Sequence, residues 1–335
     1  MGEKLVNPMS FDELVEYSAN AEILNAFSKG LNYIARCFRT GVCAISGGSD
    51  SDLLLDMVFH LDSERKIRYV FYDTGWEYRE TKRHLDYLES RYGIKIERVF
   101  AEKPVPKTVK EYGQPWFSKY VSDMMARLQR HNFQWEDESY DQLIVKYPKC
   151  VTALRWWCNA NGDKSRFNIN RQYLMKEFIM QNPPSFKISN KCCYFAKKLP
   201  ADKFCKANNV GLNITGVRRA ENGIRSQTYK SCFSNGWESN KPYDEWRPLG
   251  WFSDDDKKAY EDKCGIVHSD CYTKYGLART GCAGCPFGSG WEFELECIKQ
   301  YEPKFYNAAI SLFGESYEYS RKYREFKNRK EVVDR

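Results

Sequence analysis

The chain has 335 residues and a formal net charge of +7, and no uninterrupted apolar run approaches the roughly 20 residues of a membrane span. That length suffices for one large or two ordinary domains with a substantial core, and the mild positive charge permits a polyanionic partner without requiring one. The opening segment, Met1 to Pro8, has no secretory apolar core, so a soluble cytoplasmic protein with no membrane partner is expected. There are 13 cysteines, an odd number, and in that compartment they are read as thiols or metal ligands before disulfides.

Residues 10–38 read as one amphipathic helix. Ser10 can cap it, and Leu14, Ala21, Ile23, Leu24, Phe27, Leu31 and Ile34 supply the stripe that packs on a sheet. A short apolar run, Val42 to Ile45, leads into Ser46-Gly47-Gly48-Ser49-Asp50-Ser51-Asp52 and then an apolar helical pattern to about residue 61. This is strand, glycine turn, helix. Two glycines let backbone N–H groups approach a ligand, and the helix start offers further N–H groups and a positive dipole end, which together suit phosphate. Ser46 and Ser51 add hydroxyl donors, and Asp50 could hold Mg²⁺ or cap the helix. The spacing is not that of a Walker A loop. The plain alternative is an ordinary strand-to-helix turn.

Ile67 to Tyr72 alternates as a strand and ends in Asp73-Thr74-Gly75-Trp76-Glu77. A helical pattern follows from Tyr78 to Arg91 and closes at Gly93, and Ile94 to Phe100 reads as a third strand. Strands alternating with helices argue a parallel α/β sheet, in which ligands sit beyond the carboxyl ends of the strands. The glycine loop and Asp73-Thr74-Gly75 both lie at such ends. Residues 104–187 break the pattern. Pro104, Pro106 and Pro115 mark a loop, Ser118 to Gln129 reads as helix, and basic residues (Lys119, Arg127, Arg130, Arg155, Arg166, Arg171) alternate with Trp, Tyr and Phe. Such a mainly helical insertion could track a nucleic-acid backbone, or be a solvated face over an aromatic core, the reading placed first here.

Val210 to Thr215 is another strand, ending at Gly216-Val217-Arg218-Arg219 with Arg225 and Ser226 beyond, and Ser253 caps a helix with acids in its first turn. Cys192 and Cys193 are adjacent, and Cys282 and Cys285 form a C-x-x-C turn with glycines. Such thiols can ligate an iron–sulfur cluster or zinc, form a redox pair, or simply be buried, and Cys264 and Cys271 are alternative ligands. Cys297 lies in a helical pattern and reads as core. Phe293 to Lys330 is helical, with Pro303 as a break.

Ser-Gly-Gly-x-Asp-Ser resembles the pyrophosphate loop (PP-loop) of enzymes that cleave ATP between the α and β phosphates. Followed by Asp73-Thr-Gly-Trp-Glu-Tyr-Arg-Glu-Thr81, it looks like the phosphoadenosine phosphosulfate (PAPS) reductase family in the broad sense. That family includes PAPS and APS reductases, the small subunit of bacterial ATP sulfurylase, and the sulfurtransferases of DNA phosphorothioation. The resemblance covers about 40–100 and 188–290. It implies an adenine nucleotide alpha hydrolase-like, Rossmann-like α/β fold: a parallel sheet flanked by helices, with a helical insertion and a C-terminal helical region. The division it implies is an N-terminal helix at 1–40, a nucleotide-binding domain from 41–103 and 188–260, the insertion at 104–187, and a cluster-bearing helical region at 261–335.

For the site, the resemblance implies ATP–Mg²⁺ bound by Ser46, Gly47, Gly48, Ser49, Asp50, Ser51, Asp73, Thr74, Gly75, Gly216, Arg218 and Arg219, with catalytic roles for Asp50, Arg218 and Arg225. It implies a 4Fe–4S cluster, with zinc as the alternative, on Cys192, Cys193, Cys282 and Cys285. The expected reaction is adenylylation of an acceptor with pyrophosphate release, in sulfur transfer to DNA or tRNA, with a sulfur or electron donor protein as partner. Two departures stand out. These loops often carry Lys where this chain has Ser49, so a cation must come from elsewhere. The Glu-Cys-Gly-(Leu/Ile)-His tail of thiol-dependent reductases is missing. A reductase that borrows an external thiol, and a zinc-stapled nucleotide-binding protein without turnover, remain the alternatives.

Overall fold

The computed structural model describes residues 5–7, 9, 13, 21–37, 39–221, 231–288 and 290–333. They divide into two compact units, Met1–Glu102 with Ala196–Cys282, and Lys103–Phe195 with Ala283–Arg335.

The first unit is built on a sheet of six strands: β1 (Thr40–Ile45), β2 (Ile67–Asp73), β3 (Ile96–Phe100), β4 (Val210–Thr215), β5 (Phe233–Ser234) and β6 (Asp244–Trp246). Their spatial order is β3-β2-β1-β4-β6-β5. β1 pairs in parallel with β2 (Ile45 beside Phe71) and with β4 (Ala44 beside Thr215), whereas β5 runs antiparallel to β6. Helices flank the sheet, among them α1 (Ala21–Ala35), α2 (Ser49–Leu61), α3 (Arg79–Tyr92) and α4 (Asp254–Cys264). The architecture is the expected Rossmann-like α/β class. The strand order reverses direction between β1 and β4, and the crevice beyond such a reversal is where α/β sheets bind ligands.

The local chemistry explains the boundaries. Leu53, Leu54, Leu55, Met57, Val58 and Phe59 are buried all round α2, which therefore runs through the core and not along the surface. α3 ends where Gly93 takes φ +60°, the left-handed cap expected there. Ser253 and Asp256 form a reciprocal capping box at the start of α4. From the expected 10–38 helix, α1 contributes Ile23, Phe27 and Ile34 to the core, while Ser10 and Leu14 lie outside the described residues.

The second unit is helical. Ser118 caps Lys119–Arg130 by accepting from Val121 N, and Trp116, Trp156, Trp157 and Phe178 are fully buried. The 31-residue helix Pro303–Val333 supplies Tyr319, Tyr323 and Phe326 to the same core, with Tyr319 4.8 Å from Trp116 and Tyr323 5.1 Å from Phe178. Two differences from the sequence reading follow. The proline-marked loop near residue 104 contains a helix, Val105–Tyr112, because Pro106 falls in its first turn, where its missing N–H costs nothing. Residues 283–335 join 103–195 and not the 261–282 segment, because the long helix packs its aromatic face into that core. No described helix is long and apolar enough to cross a membrane.

Candidate functional site

The loop after β1 is held open by its glycines. Gly47 has φ +68°, and a Cβ there would stand 2.8 Å from the Thr81 methyl. Gly48 is the N-cap of α2 and brings no side-chain acceptor to the helix start. Ser46 N donates to Ser51 Oγ at 2.8 Å, closing the loop on itself, and Ser49 N donates to the Tyr272 hydroxyl at 3.1 Å. That hydroxyl also accepts from Thr280 N at 3.1 Å, so it ties the loop to the 270–280 segment. β4 arrives at Gly216, where a Cβ would lie 3.0 Å from Asp50 O and press on the loop backbone.

Asp50 is the electrostatic hub of the loop. Its Oδ1 accepts from Arg218 Nε at 2.9 Å and from Lys257 Nζ at 2.8 Å. Lys257, on α4, also donates to Ser49 Oγ at 2.6 Å and lies 3.6 Å from Glu261. Arg218 is buried and fixed further by Ser253 O and Asp254 Oδ1, at 3.1 and 2.9 Å. Burial alone would lower its pKa, but Asp50 and Asp254 outweigh that and hold the guanidinium above its ordinary value. Arg219 sits differently, with its guanidinium 4.2 Å from the centre of the Trp251 ring. Arg225 and Ser226 lie outside the described residues.

At the end of β2, Asp73 Oδ1 accepts from Gly75 N at 2.8 Å and Oδ2 from Lys82 Nζ at 2.7 Å. Gly75 takes φ +72° to make that turn. Glu77 folds back beneath it, accepting from Thr74 N at 3.0 Å and Trp76 N at 3.1 Å. Burial raises the Glu77 pKa; burial opposes ionisation of Asp73 too, but Lys82 and the Gly75 N–H hold Asp73 below the usual range. Of the two carboxyls, Asp73 is the more acidic.

The cysteines fall as follows. Cys282 pairs with Glu77 in an isolated antiparallel bridge, and its sulfur lies 3.7 Å from Thr74 Oγ1, beside the Asp-Thr-Gly turn. Cys192 and Cys193 share one helical turn, Lys191–Cys193, that runs into a π-helix at Tyr194–Lys198. Gly284, at φ +62°, turns the chain before Cys285, and its carbonyl accepts from Tyr317. Cys271 is fully buried near Thr81, and Cys297 is buried in the helix Trp291–Tyr301.

Around the loop the arrangement presents cations and N–H groups, and the carboxylates named above already hold cationic or N–H partners. Glycine-opened backbone at a helix start beside cations is the general setting in which proteins bind anions. Sequence reasoning missed Lys257, because no local pattern marks a lysine 207 positions from its partner. The signal available was the cation absent at Ser49.

Residues 40–143 match the family model described as the phosphoadenosine phosphosulfate reductase domain. An uncharacterised protein of Methanocaldococcus jannaschii is 45% identical over 73 residues, which are 22% of this chain and 15% of that protein's length. A crystal structure of phosphoadenylyl-sulfate reductase from Candida auris, in complex with phosphate, is similar with 12% identity and a TM-score of 0.43, covering 83% of this chain and 98% of that one. The matched segment carries the glycine loop and the Asp-Thr-Gly turn, and it supports the phosphoadenosine phosphosulfate reductase family in the broad sense.

Proposed function

We propose that the chain binds ATP at the β1–α2 loop and transfers its adenylyl group to an acceptor oxygen, releasing pyrophosphate. The observation that carries this reading is the loop itself: Gly47 and Gly48 open the start of α2 at the β1/β4 reversal, with Arg218 and Lys257 gathered on Asp50. The acceptor oxygen attacks the α-phosphorus, the bond from that phosphorus to the bridging oxygen breaks, and the electron pair leaves on pyrophosphate. Negative charge grows on the β-phosphate oxygens, where N–H groups of the loop and nearby cations stabilise it most. Asp73-Thr74-Gly75 bounds the same end of the sheet and would take part in holding the nucleotide.

Arg218 acts in this scheme by holding Asp50, and through it the loop. In the free protein Asp50 is held on cations, since Arg218 and Lys257 both donate to its Oδ1, and it is not read as the ligand of a resident Mg²⁺. Mg²⁺ would come in on the nucleotide's own phosphate oxygens, and no step is routed through Asp50 as its ligand. Cys192, Cys193, Cys282 and Cys285 are soft thiol donors of the type that holds a 4Fe–4S cluster or zinc. Among the described residues no three His, Cys, Asp or Glu side chains are gathered to hold a metal ion, so no step is routed through a cluster; DNA and tRNA are the acceptors to test, with a sulfur or electron donor protein.

The test is pyrophosphate release from ATP with DNA or tRNA present, on anaerobically purified protein. Arg218→Ala should cost about 1.5–3 kcal/mol of stability, the range for a charge-assisted hydrogen bond, and weaken ATP binding. Unchanged ATP affinity in that variant would remove Arg218 from the site. Sulfite release from PAPS or APS with thioredoxin, independent of ATP, would replace the adenylylation reading with a reductase.

A further inference from the structure

The loop lacks the lysine common at the position of Ser49, and the basic side chains to weigh as its stand-in are Arg218, Arg219 and Lys257. Arg218 is spoken for: its Nε is on Asp50, and its Nη1 is on Ser253 O and Asp254. Arg219 is laid over Trp251. Lys257 alone of the three touches the loop at the position of the missing lysine, with Nζ 2.6 Å from Ser49 Oγ and 2.8 Å from Asp50 Oδ1.

Its placement is built, not incidental. The side chain is only 16% exposed, and it leaves α4 directly after the Ser253–Asp256 capping box, which fixes where that helix begins. Glu261, one turn further along α4, lies 3.6 Å from Nζ and keeps the ammonium over the loop. An ammonium has three donors, and hydrogen bonds to Ser49 and Asp50 use two. A flexible stem lets it turn toward a phosphate without moving the backbone, which the doubly anchored Arg218 cannot do.

We propose that Lys257 is the phosphate-binding cation of this loop, supplied from α4 in place of a loop lysine, and that its ligand is the polyphosphate part of a nucleoside triphosphate. Ser49 and Asp50 hold it in the free protein, and the β and γ phosphates take over one or both of those contacts on binding. The inference rests on the nucleotide reading above and adds which residue meets the phosphates.

The experiment is calorimetric titration with ATP, pyrophosphate and AMP on the full chain and on Lys257→Ala, Lys257→Arg and the double variant Lys257→Ala with Ser49→Lys. Circular dichroism melting confirms that each is folded. Lys257→Ala should weaken ATP and pyrophosphate binding about tenfold or more, and AMP far less, because a charge-assisted contact to the outer phosphates is gone. Ser49→Lys in that background should restore most of the loss. A folded Lys257→Ala that binds ATP as well as the parent chain overturns the role of Lys257 and leaves the nucleotide reading standing. A loss that Ser49→Lys does not restore in a normally melting double variant also overturns it. A parent chain that binds neither ATP nor pyrophosphate overturns the nucleotide reading and, with it, this inference.

Discussion

In the sheet unit, several charged side chains are turned inward and paired; in the helical unit, the inside is largely aromatic, and among the described residues Glu302 alone is a buried charged side chain. Asp52, Asp56, Asp73, Glu77 and Arg218 are all buried in the first. In the second, the fully buried large side chains include Trp116, Trp156, Trp157 and Phe178, while Arg127 is half exposed beside Asp123. Removing a charge from water costs several kcal/mol unless partners repay it. A cluster of buried, mutually satisfied charges around one loop is therefore a stronger pointer to chemistry than a basic surface. The net charge of the chain could not make that distinction; only its placement does.

The aromatic side of the contrast carries the largest expected effect. Trp157 is fully buried, lies 5.5 Å from Phe133 between ring centres, and donates its indole N–H to Glu136 O at 2.8 Å. Trp157→Ala should destabilise the protein by about 3–5 kcal/mol, read as a lower urea midpoint, because it leaves a cavity and an unpaired carbonyl. A cost under about 1 kcal/mol would mean that the ring is a surface platform, and the nucleic-acid reading of residues 104–187 would gain.

The charged side predicts a pH dependence. Asp52 is buried between two imidazoles, with His84 Nε2 at 3.0 Å and His268 Nδ1 at 2.8 Å, and His268 Nε2 reaches Glu261 at 2.9 Å. Burial would lower the His268 pKa, but its hydrogen bonds to Asp52 and Glu261 push it up to about 9. An unfolded histidine titrates near ~6.5. The raised folded value means that the His268 contribution is complete below ~6.5 and is lost as pH rises through about 9. Denaturation midpoints across pH 6 to 10 should fall over that window by the equivalent of roughly 2 kcal/mol, less than the full shift would give because water reaches part of the ring, and His268→Gln should flatten the fall. An unchanged slope in that variant would take His268 out of the network.

What the sequence made legible was what local patterns determine. The β1-loop-α2 unit, the turn at Asp73-Thr74-Gly75, the stop at Gly93 and the start at Ser253 each depend on residues within a few positions, where φ, capping and periodicity act directly. The short strands β5 and β6 escaped because two and three residues are too few to show a period. Arg218 was legible as a guanidinium near the site, but its clamp on Asp50 was not, since that pairing depends on how β4 docks beside β1. Lys257 escaped for the same reason, and its neighbourhood of Asp254, Asp255 and Asp256 reads locally as nothing more than a helix start.

The smallest expected effect tests the comparison most directly. Arg127 and Lys257 are both basic side chains on helices with acidic partners nearby. Arg127 pairs with Asp123 one turn away at 2.9 Å, and the two side chains are 46% and 33% exposed. Exposed pairs of this spacing contribute about 0.3–0.5 kcal/mol, because water screens them and two long side chains must be held still. Arg127→Ala should therefore shift the melting temperature by no more than a degree or two. It should also leave ATP titration unchanged, in contrast to Lys257→Ala. Filter binding to single-stranded DNA and tRNA completes the measurement. If Arg127→Ala lowers nucleic-acid affinity several-fold with stability intact, the exposed charges of the helical unit track a phosphate backbone. Burial would then mark only the nucleotide half of the function, and the acceptor half would have to be sought on surfaces where charge is cheap to hold.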